Sequence, residues 1–297
     1  MTGNIRKNVR FYTEILGLQF VKKTVNYDSP DTWHFYFGDA TGSPGSVITF
    51  FPFLGMPRGQ SGVGSTNVIG FSVGTDSLDF WKKRLKEYQV DFRGPFHRFD
   101  ESYFTLYDLD GMELELVASP NDPRKGVETP GIKGENAIKG FSHVELTCSI
   151  ADKTAFFMVN KLDHKRLVEE NDRIRLYTGE ALPGNYVDLV SRPSMPHHKG
   201  GIGTAHHVAF STTDLETQKQ LKDRLSKTGI QVSQVLDRKY FQSVYFREPG
   251  GVLFEIATMG PGFLIDEAPD ALGQSLKLPD WMEPDREKIE AMLPPLE

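Results

Sequence analysis

Residues 65–94 read STNVIGFSVGTDSLDFWKKRLKEYQVDFRG. An apolar, β-prone run reaches a turn at Gly74-Thr75-Asp76. An amphipathic helix follows from Leu78, and a second β-prone run begins near Val90. Residues 204–234, TAHHVAFSTTDLETQKQLKDRLSKTGIQVSQ, repeat the plan. Val68-Ile69-Gly70-Phe71-Ser72 aligns with His207-Val208-Ala209-Phe210-Ser211. Both copies end in a hairpin. YFTLYDLDGMELELVAS (103–119) turns at Asp110-Gly111, and SVYFREPGGVLFEIAT (243–258) turns at Gly250-Gly251. The repeating unit is therefore strand–helix–strand–strand–strand.

Two weaker copies complete the series. GFSHVELTCSIADKTAFFMVNKLDHKRLVEENDRIRLYT (140–178) opens a third unit that closes at GNYVDLVSR (184–192). NIRKNVRFYTEILGLQFVKKTV (4–25) and WHFYFGDATGSPGSVITFFPF (33–53) form the first, which begins at its helix and lacks an opening strand. The sequence thus predicts an α+β fold of four βαβββ modules in two tandem pairs. The polar, turn-rich stretch 119–137 separates the pairs. The expected division is an N-terminal domain over 1–122, a C-terminal domain over 137–260, and a Pro- and acid-rich tail over 261–297 with one short helix.

Composition narrows the function classes. With 297 residues, 38% of them apolar and 25% charged, the chain can bury a substantial core. A net charge of −6 without a basic stripe argues against a nucleic-acid partner. The single Cys148 precludes an internal disulfide framework and suits a reducing compartment. No apolar run approaches the roughly 20 residues that span a bilayer, and the first residues carry no signal-peptide core. A cytoplasmic protein without membrane contact is expected; the oligomeric state, a homo-oligomer included, stays open.

Chemistry concentrates in GTAHHVAFSTTD (203–214) and GGVLFEIAT (250–258). Side chains alternate along a strand, so His207 shares a face with Ala209 and Ser211, and Glu255 with Leu253 and Ala257. In a sheet curled into a half-barrel both sets face the hollow. An isolated buried carboxylate costs on the order of several kcal/mol, and a divalent metal removes that cost while fixing the imidazole. The second module keeps Glu115 at the matching place but has Val68 for the histidine, as expected of one working site and one decayed site. Non-haem Fe(II) oxygenases use two histidines and one carboxylate. His143, in GFSHVEL, aligns with His207 and is one candidate for the third ligand; a residue on an opening strand preceding Met1 is the other.

TGNIRKNVRFYTEILGLQFVKKTVNYD, FYFGDATGSPGSVITFFP, GTAHHVAF, DRKYFQSVYFREPGGVLFEIAT and the terminal LPPLE resemble, over nearly the whole chain, the ring-cleaving extradiol-type dioxygenases of the vicinal-oxygen-chelate (glyoxalase–bleomycin resistance) superfamily, and within it the hydroquinone-cleaving, MhqO-like branch. The resemblance implies Fe(II), with Mn(II) as the alternative, acting on a hydroquinone or catechol with O2. It implies His207 and Glu255 as metal ligands. The remaining ligand of that branch is a histidine on a strand before TGN, which this sequence does not contain. The catechol-cleaving branch places a ligand where His143 stands. Tyr245 would sit near the metal-bound water, Arg238 would hold a phenolate or carboxylate, and His206 would lie near the pocket, although strict alternation turns it away from the metal.

Blander readings stand beside these. A lone buried histidine is more often a hydrogen-bonded core residue than a ligand. Tyr245 can be a strand aromatic, and Arg238 a surface residue paired with Asp237. His197 and His198 read as solvated linker residues, His34 as a packing residue that can also line the pocket, and Cys148 as a small core residue. A decayed site leaves Glu115 bonded to polar neighbours. Two functional rivals share the fold: a Ni/Zn glyoxalase-like isomerase, and a non-catalytic ligand-binding module of the bleomycin-resistance type.

Overall fold

The computed structural model describes residues 1–296. Module 1 starts with helix α1 (Ile5–Arg10), capped by the Asn4 side chain, which accepts from Lys7 N. The helix loosens into a π-helical turn at Phe11–Ile15. Strands β1 (Gln19–Asn26), β2 (Ser29–Gly38) and β3 (Ile48–Phe50) follow. Module 2 comprises β4 (Ser65–Val73), α2 (Leu78–Glu87), β5 (Phe92–Arg98), β6 (Glu101–Tyr107) and β7 (Glu113–Ala118). Module 3 comprises β8 (Gly140–Cys148), α3 (Ala151–Lys161), β9 (Lys165–Glu170), β10 (Arg173–Tyr177) and β11 (Tyr186–Ser191). Module 4 comprises β12 (Val208–Thr212), α4 (Leu215–Ser226), β13 (Leu236–Asp237), β14 (Gln242–Arg247) and β15 (Leu253–Thr258). The tail ends in α5 (Arg286–Met292).

In modules 2, 3 and 4 the closing strand returns parallel to the opening one, β4 with β7, β8 with β11 and β12 with β15. Modules 2 and 3 fuse through antiparallel β4–β8 into one eight-stranded sheet, ordered β5-β6-β7-β4-β8-β11-β10-β9. Modules 1 and 4 contribute separate sheets of three and four strands, β1-β2-β3 and β12-β15-β14-β13. Met1 and Thr2 link modules 1 and 4 at the edges of these sheets. Thr2 pairs with Pro52, and the Met1 carbonyl accepts from Gly203 N.

Apolar side chains divide differently from the strands. One core gathers modules 1 and 2, with Tyr12, Phe35, Trp81, Leu85 and Leu116 all fully buried. A second gathers modules 3 and 4, with Leu146, Ala155, Leu176, Leu225 and Phe254. Cys148, 2% exposed, lies in that second core with its thiol toward Thr154 Oγ1. The tail closes modules 1 and 4 together. Phe263 packs against Tyr36 and Tyr240, each at 5.1 Å between ring centroids. Lys22 of β1, wholly buried, donates to Asp266 and Glu267. The faces away from the helices form two cups, one between modules 1 and 4 and one between modules 2 and 3.

Candidate metal centre

β15 is flanked by β12 and β14, and Glu255 faces both Ala209 and Tyr245 in register. His207 stands two residues before Ala209, just outside β12, so alternation aims it at the concave side where Glu255 points. Its Nε2 lies 2.7 Å from Glu255 Oε2. Glu255 is 3% exposed, and its Oε1 accepts from Ser243 Oγ. Burial pushes this carboxyl's pKa up, but the hydrogen bonds from His207 and Ser243 outweigh it and hold the group below the usual range.

Tyr245 lies edge-on to His207, with centroids 5.7 Å apart. Burial, then the Glu255 charge, pushes its phenol well above the ordinary value, so the hydroxyl keeps its proton at neutral pH. The Arg238 guanidinium sits 5.7 Å from the Tyr245 ring centroid and donates to Asp28 Oδ2 at 3.1 Å. Its ionic partner therefore comes from module 1, and Asp237 is not that partner. His206 meets His207 Nδ1 to Nδ1 at 2.9 Å, so it reaches the site despite the alternation that would turn it away. Partial desolvation and the neighbouring His207 bring its pKa to about 4, so it is neutral near pH 7.

Module 1 supplies the opposite wall. His34 and Tyr36 lie on the face of β2 opposite Trp33, Phe35 and Phe37, which enter the core. Both feel the site across the cup: His34 through His207 and Arg238, Tyr36 through Glu255, Tyr245 and Arg238.

An imidazole nitrogen and a carboxylate oxygen converging at the end of a buried, hydrogen-bonded strand pair are the donor chemistry of a borderline divalent ion. The pair fits such an ion as two of three protein donors. Among the described residues, no group of three His, Cys, Asp or Glu side chains could hold one.

His143 does not complete that set. It lies in the other cup, where Arg98 Nη2 is 3.2 Å from its Nε2 and Glu115 Oε2 is 3.4 Å away. The registers show why the two histidines look alike in sequence. Glu255 faces Ala209, Glu115 faces Gly70 and Asp188 faces Glu145. Two residues before those partners stand His207, Val68 and His143. Module 3 therefore carries its own histidine–carboxylate pair, His143 and Asp188, 3.9 Å apart. Here guanidinium groups take the place of a cation. Arg98 forms a bidentate pair with Glu115, and Arg175 grips Asp188 through Nε and Nη2 at 2.7 and 3.0 Å. Gly70 makes room for this packing, since a Cβ there would lie 2.3 Å from His143 Cε1. Glu115 is bonded to polar neighbours as a decayed site requires. Asp188 was legible in YVDLV, which aligns with VLFEIAT; Arg98 carries no such signal, because it reaches in from the far end of β5.

The remaining histidines divide. His197 is exposed, whereas His198 is half-buried with Nδ1 sequestered and unpartnered, so it is not a freely solvated linker residue. No helix among the described residues is long and apolar enough to cross a membrane.

The chain is 40% identical over 291 residues to the "Putative ring-cleaving dioxygenase MhqE" of Bacillus subtilis (strain 168), spanning 98% of this chain and 95% of that protein. It is 30% identical over 293 residues to the "Chlorohydroquinone/hydroquinone 1,2-dioxygenase" of Sphingobium indicum, spanning 95% and 90%. A crystal structure titled as that of a "putative dioxygenase" from Bacillus subtilis superposes with a TM-score of 0.92 at 38% identity, covering all of this chain and 94% of that one. These relatives support a dioxygenase. Residues 1–116 and 140–256 each match one profile, and on that match the chain belongs to the Glyoxalase/Bleomycin resistance protein/Dioxygenase superfamily.

Proposed function

We propose that this protein is a non-haem Fe(II)-dependent, extradiol-type ring-cleaving dioxygenase that opens a hydroquinone, or failing that a catechol, with O2; Mn(II) is the alternative metal. The observation that carries the reading is the 2.7 Å approach of His207 Nε2 to Glu255 Oε2 in a cup walled by tyrosines and Arg238. The relative from Sphingobium indicum bears a name that specifies hydroquinone, which supports the substrate class. His207 and Glu255 would hold the metal, and a bound Fe(II) supplies the one-electron contact that lets O2 react with a closed-shell arene.

The chain's own groups do the rest. Arg238 orients the substrate anion, since a guanidinium remains charged at any working pH. The protonated Tyr245 hydroxyl donates to oxygen charge as it develops on the substrate. Neutral His206, beside His207, steadies the same developing charge as a hydrogen-bond donor.

Oxygen consumption decides the matter. Protein loaded with Fe(II) should take up O2 when hydroquinone is added, and His207→Ala or Glu255→Gln should lower the rate by more than the roughly 10–100-fold that loss of an outer-shell partner of a metal costs. Turnover of a glutathione hemithioacetal without O2 uptake would instead assign an isomerase. Purified protein with neither bound metal nor a response to Fe(II) would assign a binding module.

A further inference from the structure

The His34 ring packs well, but the packing leaves one of its nitrogens without a partner. Its Nε2 is sequestered from solvent and lacks any hydrogen-bond partner. A buried polar atom left unpaired is costly, so the position calls for an account. The ring is held on both faces, 4.0 Å from the Phe51 ring at 27° and 4.1 Å from Tyr36 at 38°. A ring clamped in this way can offer its nitrogens only at the edge. The residue as a whole is half-buried and lies on the concave side of β2, opposite Thr24 of β1. Thr24 Oγ1 and Tyr27 OH are also buried without partners. Thr24, the cross-strand neighbour of His34, thus leaves a second polar atom unpaired beside it on the same face of the sheet.

We infer that His34 positions the aromatic substrate by hydrogen-bonding a ring hydroxyl through Nε2, with the hydroxyl replacing the partner the imidazole lacks. This rests on the proposed ring cleavage for the identity of the ligand. A hydroxyl suits the site because it donates and accepts, so it satisfies a neutral imidazole in either tautomer. Burial, followed by the charges of His207 and Arg238, disfavours the protonated ring and keeps the group neutral. The flat clamp formed by Tyr36 and Phe51 suits an arene passing beside it.

The test uses Fe(II)-loaded protein and hydroquinone, titrated anaerobically by intrinsic fluorescence and then assayed with O2. His34→Phe should raise the dissociation constant and KM about tenfold or more, leave kcat within about threefold, and leave the iron content unchanged. His34→Gln, which restores an edge-on hydrogen-bonding group, should recover most of the loss. His34→Leu replaces the Phe variant should that fail to fold. Binding and KM within twofold of the unsubstituted protein in a folded Phe or Leu variant would overturn the inference, as would equal losses in the Gln and Phe variants. Hydroquinone binding without O2 uptake by the unsubstituted protein would sink the dioxygenase reading alone. Absence of binding would sink both.

Discussion

At His143 the imidazole is 1% exposed, with the Arg98 guanidinium against its Nε2. Burial, and then Arg98, hold its pKa well below the usual value. Its aligned partner His207 is less enclosed and faces a carboxylate with no guanidinium between them. The alignment of the two histidines was readable, because both occupy the same step of a repeated strand. Their different surroundings were not, because Arg98 and Arg175 come from strands far away in sequence. A stability consequence follows. In the unfolded chain His143 binds a proton below about pH 6.5, whereas in the folded protein it stays neutral. The unfolded state then binds more protons, so stability falls as pH drops from 7 to 5, by up to about 1.4 kcal/mol per pH unit for each such group. His34 and His164 are depressed in the same direction, by burial first. Asp188, also depressed, keeps its contribution throughout that window and loses it only below the unfolded carboxylate range. The thermal midpoint should decline between pH 7 and 5, and His143→Gln should make the decline shallower. An unchanged slope in that variant would show that His143 is not a source of it.

Among the elements, the four module helices and most strands followed from hydrophobic period and turn residues, with two departures. β13 shrinks to Leu236–Asp237, because the preceding run pairs only irregularly, Ser233 N donating to the Tyr245 carbonyl. The first helix breaks its α pattern after Arg10, with Leu16 N reaching back five residues to Phe11. The tail shows how an element without a period of its own is fixed by contacts that pattern reading does not foresee. Lys22 alternates into a closed cavity, where Asp266 Oδ1 at 2.7 Å and the Phe263 carbonyl at 3.1 Å receive its ammonium along with Glu267. Removing one member of a buried ionic set strands the rest, at about 3–5 kcal/mol. Lys22→Met should therefore lower the thermal midpoint and expose residues 260–280 to limited proteolysis. An intact tail in that variant would mean that Phe263 and Leu272 hold it unaided.

For the molecule as a whole, the cores join module 1 to 2 and module 3 to 4, while the large sheet joins 2 to 3 and the tail joins 1 to 4. The four modules and their pairing were legible from the repeat. The fusion of modules 2 and 3 was not, since β4 and β8 both read as opening strands and nothing local states that they pair. Interlocked in this way, neither tandem half can open without breaking the central sheet or exposing an apolar face. Cys148 ends β8 at that junction, and burial has raised its pKa to about 11, so the folded protein holds almost no reactive thiolate near neutral pH. The lone thiol can therefore serve as an internal clock. A chromogenic disulfide reagent should modify it at least about a thousandfold more slowly than in denaturant, at a pace set by how often the middle of the molecule comes apart. A labelling rate within about tenfold of the denatured chain would reveal a seam that opens easily.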